Sequence, residues 1–270
     1  MTRPPKKTRL ANKSKLRNTL RKLDGVRRGA VAQIDRGAAA QEALDFLALL
    51  CGLKPVFLLG RGVDDPPWIR GVLQIAIDQG LYVIEGPYWD AGGKDNGLPD
   101  WFRDHGASAF REMRAHYICR ARATADEVEA VCAAASSDKA LTIAREARLL
   151  GYPECCVSAH YARNLAYQKL WLEMLSDQSG GDEAEMRRKL TDSTPLDPAS
   201  DEMRQRLEAA MRLHPAPFTS INMCDSCRES ADSPARRLSA QYRDLAGAID
   251  PGLENELKTA IAMNSPTAFG

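Results

Sequence analysis

Aromatic side chains are scarce in this chain: Phe, Trp and Tyr together make up 6% of its 270 residues. Strands draw on aromatic and β-branched residues, whereas alanine favours helix. Few aromatics beside abundant alanine therefore predict that helices dominate. No stretch approaches the ~20 consecutive apolar residues that cross a bilayer, so no membrane span is expected. Residues 1–28 lack the apolar segment of a secretory signal, and a reducing cytoplasm is the expected compartment. No internal repeat is visible. Gly92-Gly93-Lys94 lies in a Gly-, Pro- and Asp-rich stretch, residues 86–100, but lacks the spacing of a phosphate-binding loop and reads as a surface loop.

What remains is ordinary in bulk and uneven in detail. Hydrophobic residues are 44% and charged residues 27%, as in many globular proteins. The net charge is +1, but residues 1–28 hold eleven Lys or Arg against a single acid, Asp24. That segment carries +10, which leaves −9 on the rest. Residues 1–28 are expected to be a basic, disordered arm, with Leu16, Leu20 and Leu23 at helical spacing in its second half. A solvated tail and an arm for nucleic acid both fit it.

Periodicity divides the rest into an α/β part, residues 29–122, and a helical part, residues 123–270. Helices are expected over 38–51, 68–79, 101–113, 126–135, 139–150, 153–175, 201–213 and 234–249. A short one is expected near 183–190. Gly52 and Gly151 read as helix stops, and Ser233-Pro234 as a helix start. Strands are expected near 55–60, 81–85 and 115–120. The order strand–helix–strand predicts an α/β fold with a small, mostly parallel sheet and a helix-rich C-terminal half.

Seven cysteines are present. Cys51, Cys119 and Cys132 sit in apolar patterns and read as core. His105, His116 and His214 have no paired ligand spacing. The other four cysteines form two tight pairs. Cys155 and Cys156 follow Gly151-Tyr152-Pro153-Glu154; Cys224 and Cys227 form a C-x-x-C. In a reducing compartment such pairs point to metal binding or thiol chemistry. Pro153 opens a helix, so Cys155 and Cys156 fall in its first turn, where the helix dipole favours thiolate. Neighbouring helical residues point about 100° apart, whereas Cys156 and His160, four apart, share a face. Two ligand sets follow. Four cysteines suit an iron–sulfur cluster or zinc; Cys156, His160, Cys224 and Cys227 suit zinc. A metal-free dithiol enzyme also fits, with Cys155 and Cys156 as reactive thiols.

The stretch Ala147-Arg148-Leu149-Leu150-Gly151-Tyr152-Pro153-Glu154-Cys155-Cys156-Val157 resembles the signature of a prokaryotic protein family of unknown function. In that family an L-G-Y-P-E-C-C-V segment is followed by a second cysteine pair. Pro217 to Cys227, and on through Arg237 to Tyr242, is similar too. The resemblance spans roughly residues 115–245 and implies that the two pairs belong to one site.

Around such a site, Arg120, Arg122, Arg145 and Arg148 could bind a small anionic substrate, since Arg matches carboxylate and phosphate. They could equally form surface pairs with Glu127 or Glu129. Glu154 is a candidate acid or base, or a complement to the helix start. The reading that follows is a cysteine-ligated metal protein, iron–sulfur or zinc, acting as an enzyme of sulfur or redox chemistry. The alternative is a nucleic-acid-binding module with a structural zinc.

Overall fold

The computed structural model describes residues 13–28, 36–60, 67–87, 97–111, 114–133, 139–192, 196, 198, 200–212 and 214–263. Twelve helices and three strands are formed among them. In order they are α1 (Lys13–Arg28), α2 (Arg36–Cys51), β1 (Val56–Gly60), α3 (Pro67–Asp78), β2 (Tyr82–Pro87), α4 (Asp100–Arg111), β3 (Arg114–Cys119) and α5 (Arg122–Ala133). Then come α6 (Lys139–Leu150), α7 (Glu154–Gln178), α8 (Glu183–Thr191), α9 (Asp201–Met211), α10 (Asp225–Glu229), α11 (Pro234–Ile249) and α12 (Pro251–Met263).

The sheet is not the parallel one expected. Its order is β1-β3-β2, and both hydrogen-bonded pairs are antiparallel. β1 and β2, joined through α3, run in the same direction, but β3 returns between them and takes both sets of hydrogen bonds. Burial separates β3 from β2, though not from β1, whose Val56, Phe57 and Leu59 are also buried. Ala115, Tyr117, Ile118 and Cys119 of β3 are fully buried, which suits a central strand covered on both faces. β2 is only half buried and starts with exposed Tyr82, which suits an edge.

Because side chains alternate along a strand, the sheet feeds two cores. Phe57, Leu59 and Ile118 face a cluster with α1, α2, α3, α11 and α12. Val56, Tyr117 and Cys119 face Ala125 and Val128 of α5 and Leu149 and Leu150 of α6. The C-terminal helices thus share a core with the N-terminal half: Leu245, Ile249, Leu253 and Leu257 join Leu44 and Leu47.

The expected basic arm is in part a structural helix. Leu16, Leu20 and Leu23 of α1 are buried in the main core, and Arg17 Nε donates to the carbonyl of Ile249, 2.7 Å away. A methyl group on Gly71 of α3 would come within 2.5 Å of Val26, so α1 and α3 cross closely. Residues 1–12, the rest of that arm, lie outside the described residues. Of the cysteines read as core, Cys119 is buried, and Cys51 and Cys132 are half-buried.

Candidate metal centre

Two local structures deliver the cysteines. The first is the junction of α6 and α7. Gly151 adopts φ +71°, and the amide of Tyr152 reaches back to the Ala147 carbonyl at 2.8 Å. This left-handed glycine cap ends α6. Pro153 then caps α7, which places Glu154, Cys155 and Cys156 in its first turn. The second is a tight hairpin. Ala216 N bonds Ile221 O at 2.8 Å and Met223 N bonds His214 O at 2.7 Å, with Phe218 at φ 63° near its tip. Cys224 follows as the N-cap of the short α10, and Cys227 lies within it. Ser233 fastens the far end: its hydroxyl donates to Cys227 O at 2.7 Å and caps α11.

These segments bring the four sulfurs within 4.8 Å of one another. Cys155 Sγ is 3.6 Å from Cys227 Sγ, and Cys156 Sγ is 3.8 Å from Cys224 Sγ. Those distances are far beyond a disulfide bond of about 2.05 Å. They match the ~3.8 Å edge of a tetrahedron of thiolates around one ion at about 2.3 Å. Apolar Ala216, Ile221, Met223 and Ala235 surround the sulfurs, with Tyr152 alongside. Cys156 and Cys227 are buried, Cys224 is half-buried and Cys155 faces solvent. Four thiol donors this close together can hold a metal ion.

The thiol acidities depart from the helix-start expectation. Burial, reinforced by the neighbouring cysteines, pushes Cys155 up to about 11. Burial pushes Cys156 up further still. Burial also works against the Cys224 thiolate, but the Ser226 hydroxyl at 3.2 Å, the Cys227 amide and the neighbouring thiols outweigh it. That thiol falls to about 7. The readily ionised cysteine is therefore Cys224, while burial, with the neighbouring thiols, keeps Cys155 and Cys156 protonated.

Other residues singled out from sequence lie elsewhere. His160 is outside the sulfur group, on an exposed turn of α7, with Nε2 3.1 Å from Asn164 Nδ2. Glu154 is exposed. Arg122 pairs with Asp126 at 2.7 Å and with Glu129 at 3.5 Å. Arg148 pairs with Glu127 at 2.9 Å. Arg120 is exposed and sits against Gly52 at the end of α2. His214 Nε2 lies 2.8 Å from the Arg228 guanidinium.

One group of residues gave no sequence motif. Lys54 and Asp45 are 2% and 4% exposed, with Nζ and Oδ1 3.6 Å apart. Lys54 Nζ donates to Tyr152 Oη at 3.4 Å. Tyr152 Oη and Ser220 Oγ are 2.5 Å apart, and Ser220 donates to Asp45 Oδ2 at 2.7 Å. With the serine proton committed to Asp45, the tyrosine proton points to Ser220, so the hydrogen bonds run in one direction from Lys54 through Tyr152 and Ser220 to Asp45, and the Lys54–Asp45 ion pair closes the ring. Burial works against the Lys54 ammonium, but Asp45 and Tyr152 outweigh it and raise its pKa. Burial also raises the Tyr152 phenol, which stays a neutral hydroxyl. The signal for this group was a lone carboxylate inside the apolar run Ala43-Leu44-Asp45-Phe46-Leu47.

Compared with protein-family models, curated proteins and solved structures, the chain matches none of them. No helix among the described residues is long and apolar enough to cross a membrane.

Proposed function

We propose that Cys155, Cys156, Cys224 and Cys227 hold one zinc ion in a closed tetrahedral site. In this reading the ion braces the fold by tying the start of α7 to the hairpin and α10. The observation that carries it is the sulfur spacing, with all four sulfurs within 4.8 Å. A cluster of several irons stands between its thiolates and spreads them wider than a single ion does. Soft thiolates in a tetrahedral set suit zinc. A catalytic zinc keeps an open coordination position, whereas four protein donors close it. Bracing is therefore favoured over sulfur or redox catalysis. The ion pairs of Arg122 and Arg148 favour it too, because those guanidinium groups are engaged by acids rather than aimed at a substrate. Elemental analysis of protein purified without oxygen tests the reading. The expected result is colourless protein with one zinc per chain, lost in Cys224→Ser. A brown protein with a broad visible band would return the iron–sulfur reading. Metal content unchanged by the substitution would sink the site altogether.

A second reading adds an anionic partner. Around its buried leucines, α1 exposes Lys13, Lys15, Arg21 and Lys22. Such basic residues suit a phosphate backbone, and a zinc-braced body would then be a nucleic-acid-binding module. Deleting residues 1–28 is a poor test, since it strips three leucines from the core. Reversing Lys13, Arg21 and Lys22 to Glu leaves that core intact. Duplex binding by the unaltered chain should fall linearly with log salt, and the triple variant should lose roughly three units of that slope. Equal binding by both proteins would remove α1 as the contact.

A further inference from the structure

The two segments that supply the sulfurs are anchored to different neighbours. α7 packs on α6, α8 and α9, and α10 packs on α11. Near the metal site, a hydrogen bond from Tyr152 to Ser220 links them. Its position relative to the ligands is informative. Tyr152 comes three residues before Cys155, and Ser220 comes four residues before Cys224. The bond joins the root of one ligand pair to the root of the other.

Both ends of that bond are held from behind. Lys54 donates to the tyrosine oxygen, and its ammonium lies 5.0 Å from the centre of the same ring. Asp45 accepts from Ser220, and the buried Tyr242 hydroxyl also faces Asp45. Gly151 lets the chain pass close to Lys54: a Cβ there would lie 3.3 Å from Lys54 Cβ. Four segments therefore meet in one ring of donors and acceptors: α2, the residues before β1, the α6–α7 junction and the hairpin.

Such a ring is a costly way to fill a core. Burying a lysine and an aspartate carries a desolvation penalty, and apolar side chains of similar volume often do as well or better. What such a chain of hydrogen bonds, closed by an ion pair, supplies is a defined geometry, because bonds running in one direction polarise one another. Metal sites depend on that kind of support: loss of an orienting partner beyond the ligands commonly costs 10–100-fold in affinity.

We propose that Tyr152 and Ser220, held by Lys54 and Asp45, form a clamp that fixes the spacing of the two cysteine pairs before metal binds. Tyr152 and Ser220 are positioning residues; neither touches the ion. The proposal rests on the four-cysteine metal site. Its signature is a change in metal affinity that is separable from a change in fold stability.

Cobalt(II) titration, read by its thiolate charge-transfer and ligand-field bands, provides the test. Tyr152→Phe keeps the ring and removes only the hydroxyl. Ser220→Ala alters a residue that reaches solvent and leaves the core packing in place, so it remains informative if the tyrosine variant folds poorly. Each is expected to raise the cobalt dissociation constant by about 10–100-fold. Ser220→Thr, which restores a hydroxyl, should recover most of that loss. Melting of the metal-free proteins is measured alongside. Variants that melt lower but bind cobalt with unchanged affinity would show the ring to be structural support only, and the clamp would be overturned. An unaltered chain that takes up no cobalt would overturn the metal site itself and the clamp with it. Weakened binding confined to the variants upholds both.

Discussion

Stripping the metal with a strong chelator should lower the melting temperature by about 10 °C. An ion present at ~1,000 times its dissociation constant adds about 4 kcal/mol to the folded state. A chain of this size shifts by about 2–4 °C for each kcal/mol. The loss should fall on the contact between α7 and the hairpin, since the ion ties these together while the two larger cores pack without it. The effect should also depend steeply on pH. Metal binds thiolate, so any proton held by the free thiol must leave first. Cys155 is pushed up to about 11 and Cys156 higher still, so both are protonated at pH 8 in the metal-free protein. Displacing at least these two protons makes binding at least about 100-fold weaker for each unit of acidification. Below about 7, Cys224 also takes up its proton and steepens the fall. The stabilisation by metal is therefore present at pH 8 and shrinks sharply towards pH 6. Calorimetry with and without added zinc at the two pH values measures it. An increment equal at both pH values, or absent at both, would contradict the four-thiolate site.

Substituting Lys54 alone should be the most damaging point change away from the sulfurs. Lys54→Met removes the cation and leaves Asp45 buried beside two tyrosines. Breaking one side of a buried ion pair commonly costs about 3–5 kcal/mol, because the remaining charge is uncompensated. Lys54→Met combined with Asp45→Leu should regain much of that loss, since the pair is then replaced rather than broken. Recovery should be incomplete, because Ser220 also loses its acceptor. Denaturant unfolding of the two single variants and the double variant gives the coupling energy. Strictly additive losses would mean that Lys54 and Asp45 do not act as a pair.

Much of the fold is legible in the residues. Gly151 and Pro153 bracket the α6–α7 junction where they stand in sequence, and Ser233-Pro234 starts α11. These features depend on a few neighbouring residues and on backbone preferences that distant contacts rarely override. The order of the strands is different. The segments near 55–60, 81–85 and 115–120 each read as a strand, but which one lies in the middle depends on how the strands pair in the packed sheet. That is a property of the packed molecule. The same distinction applies to α1, whose charges suggest an arm while its three leucines place it in the core.

The sequence by itself determined that four cysteines come in two pairs and that Cys155 and Cys156 sit at a helix start, whereas the short helix that follows Cys224 came only with the structure. Local chain geometry is enough for that. Tertiary structure decided that the pairs converge, that His160 stays outside, and that Cys224 is the acidic thiol. It also decided that Asp45, Lys54, Tyr152 and Ser220 close a ring behind them. The physical reason is distance. A sulfur's partners and acidity, and a buried charge's counter-charge, are set by groups within a few ångströms in space, and here those groups lie dozens of residues away along the chain.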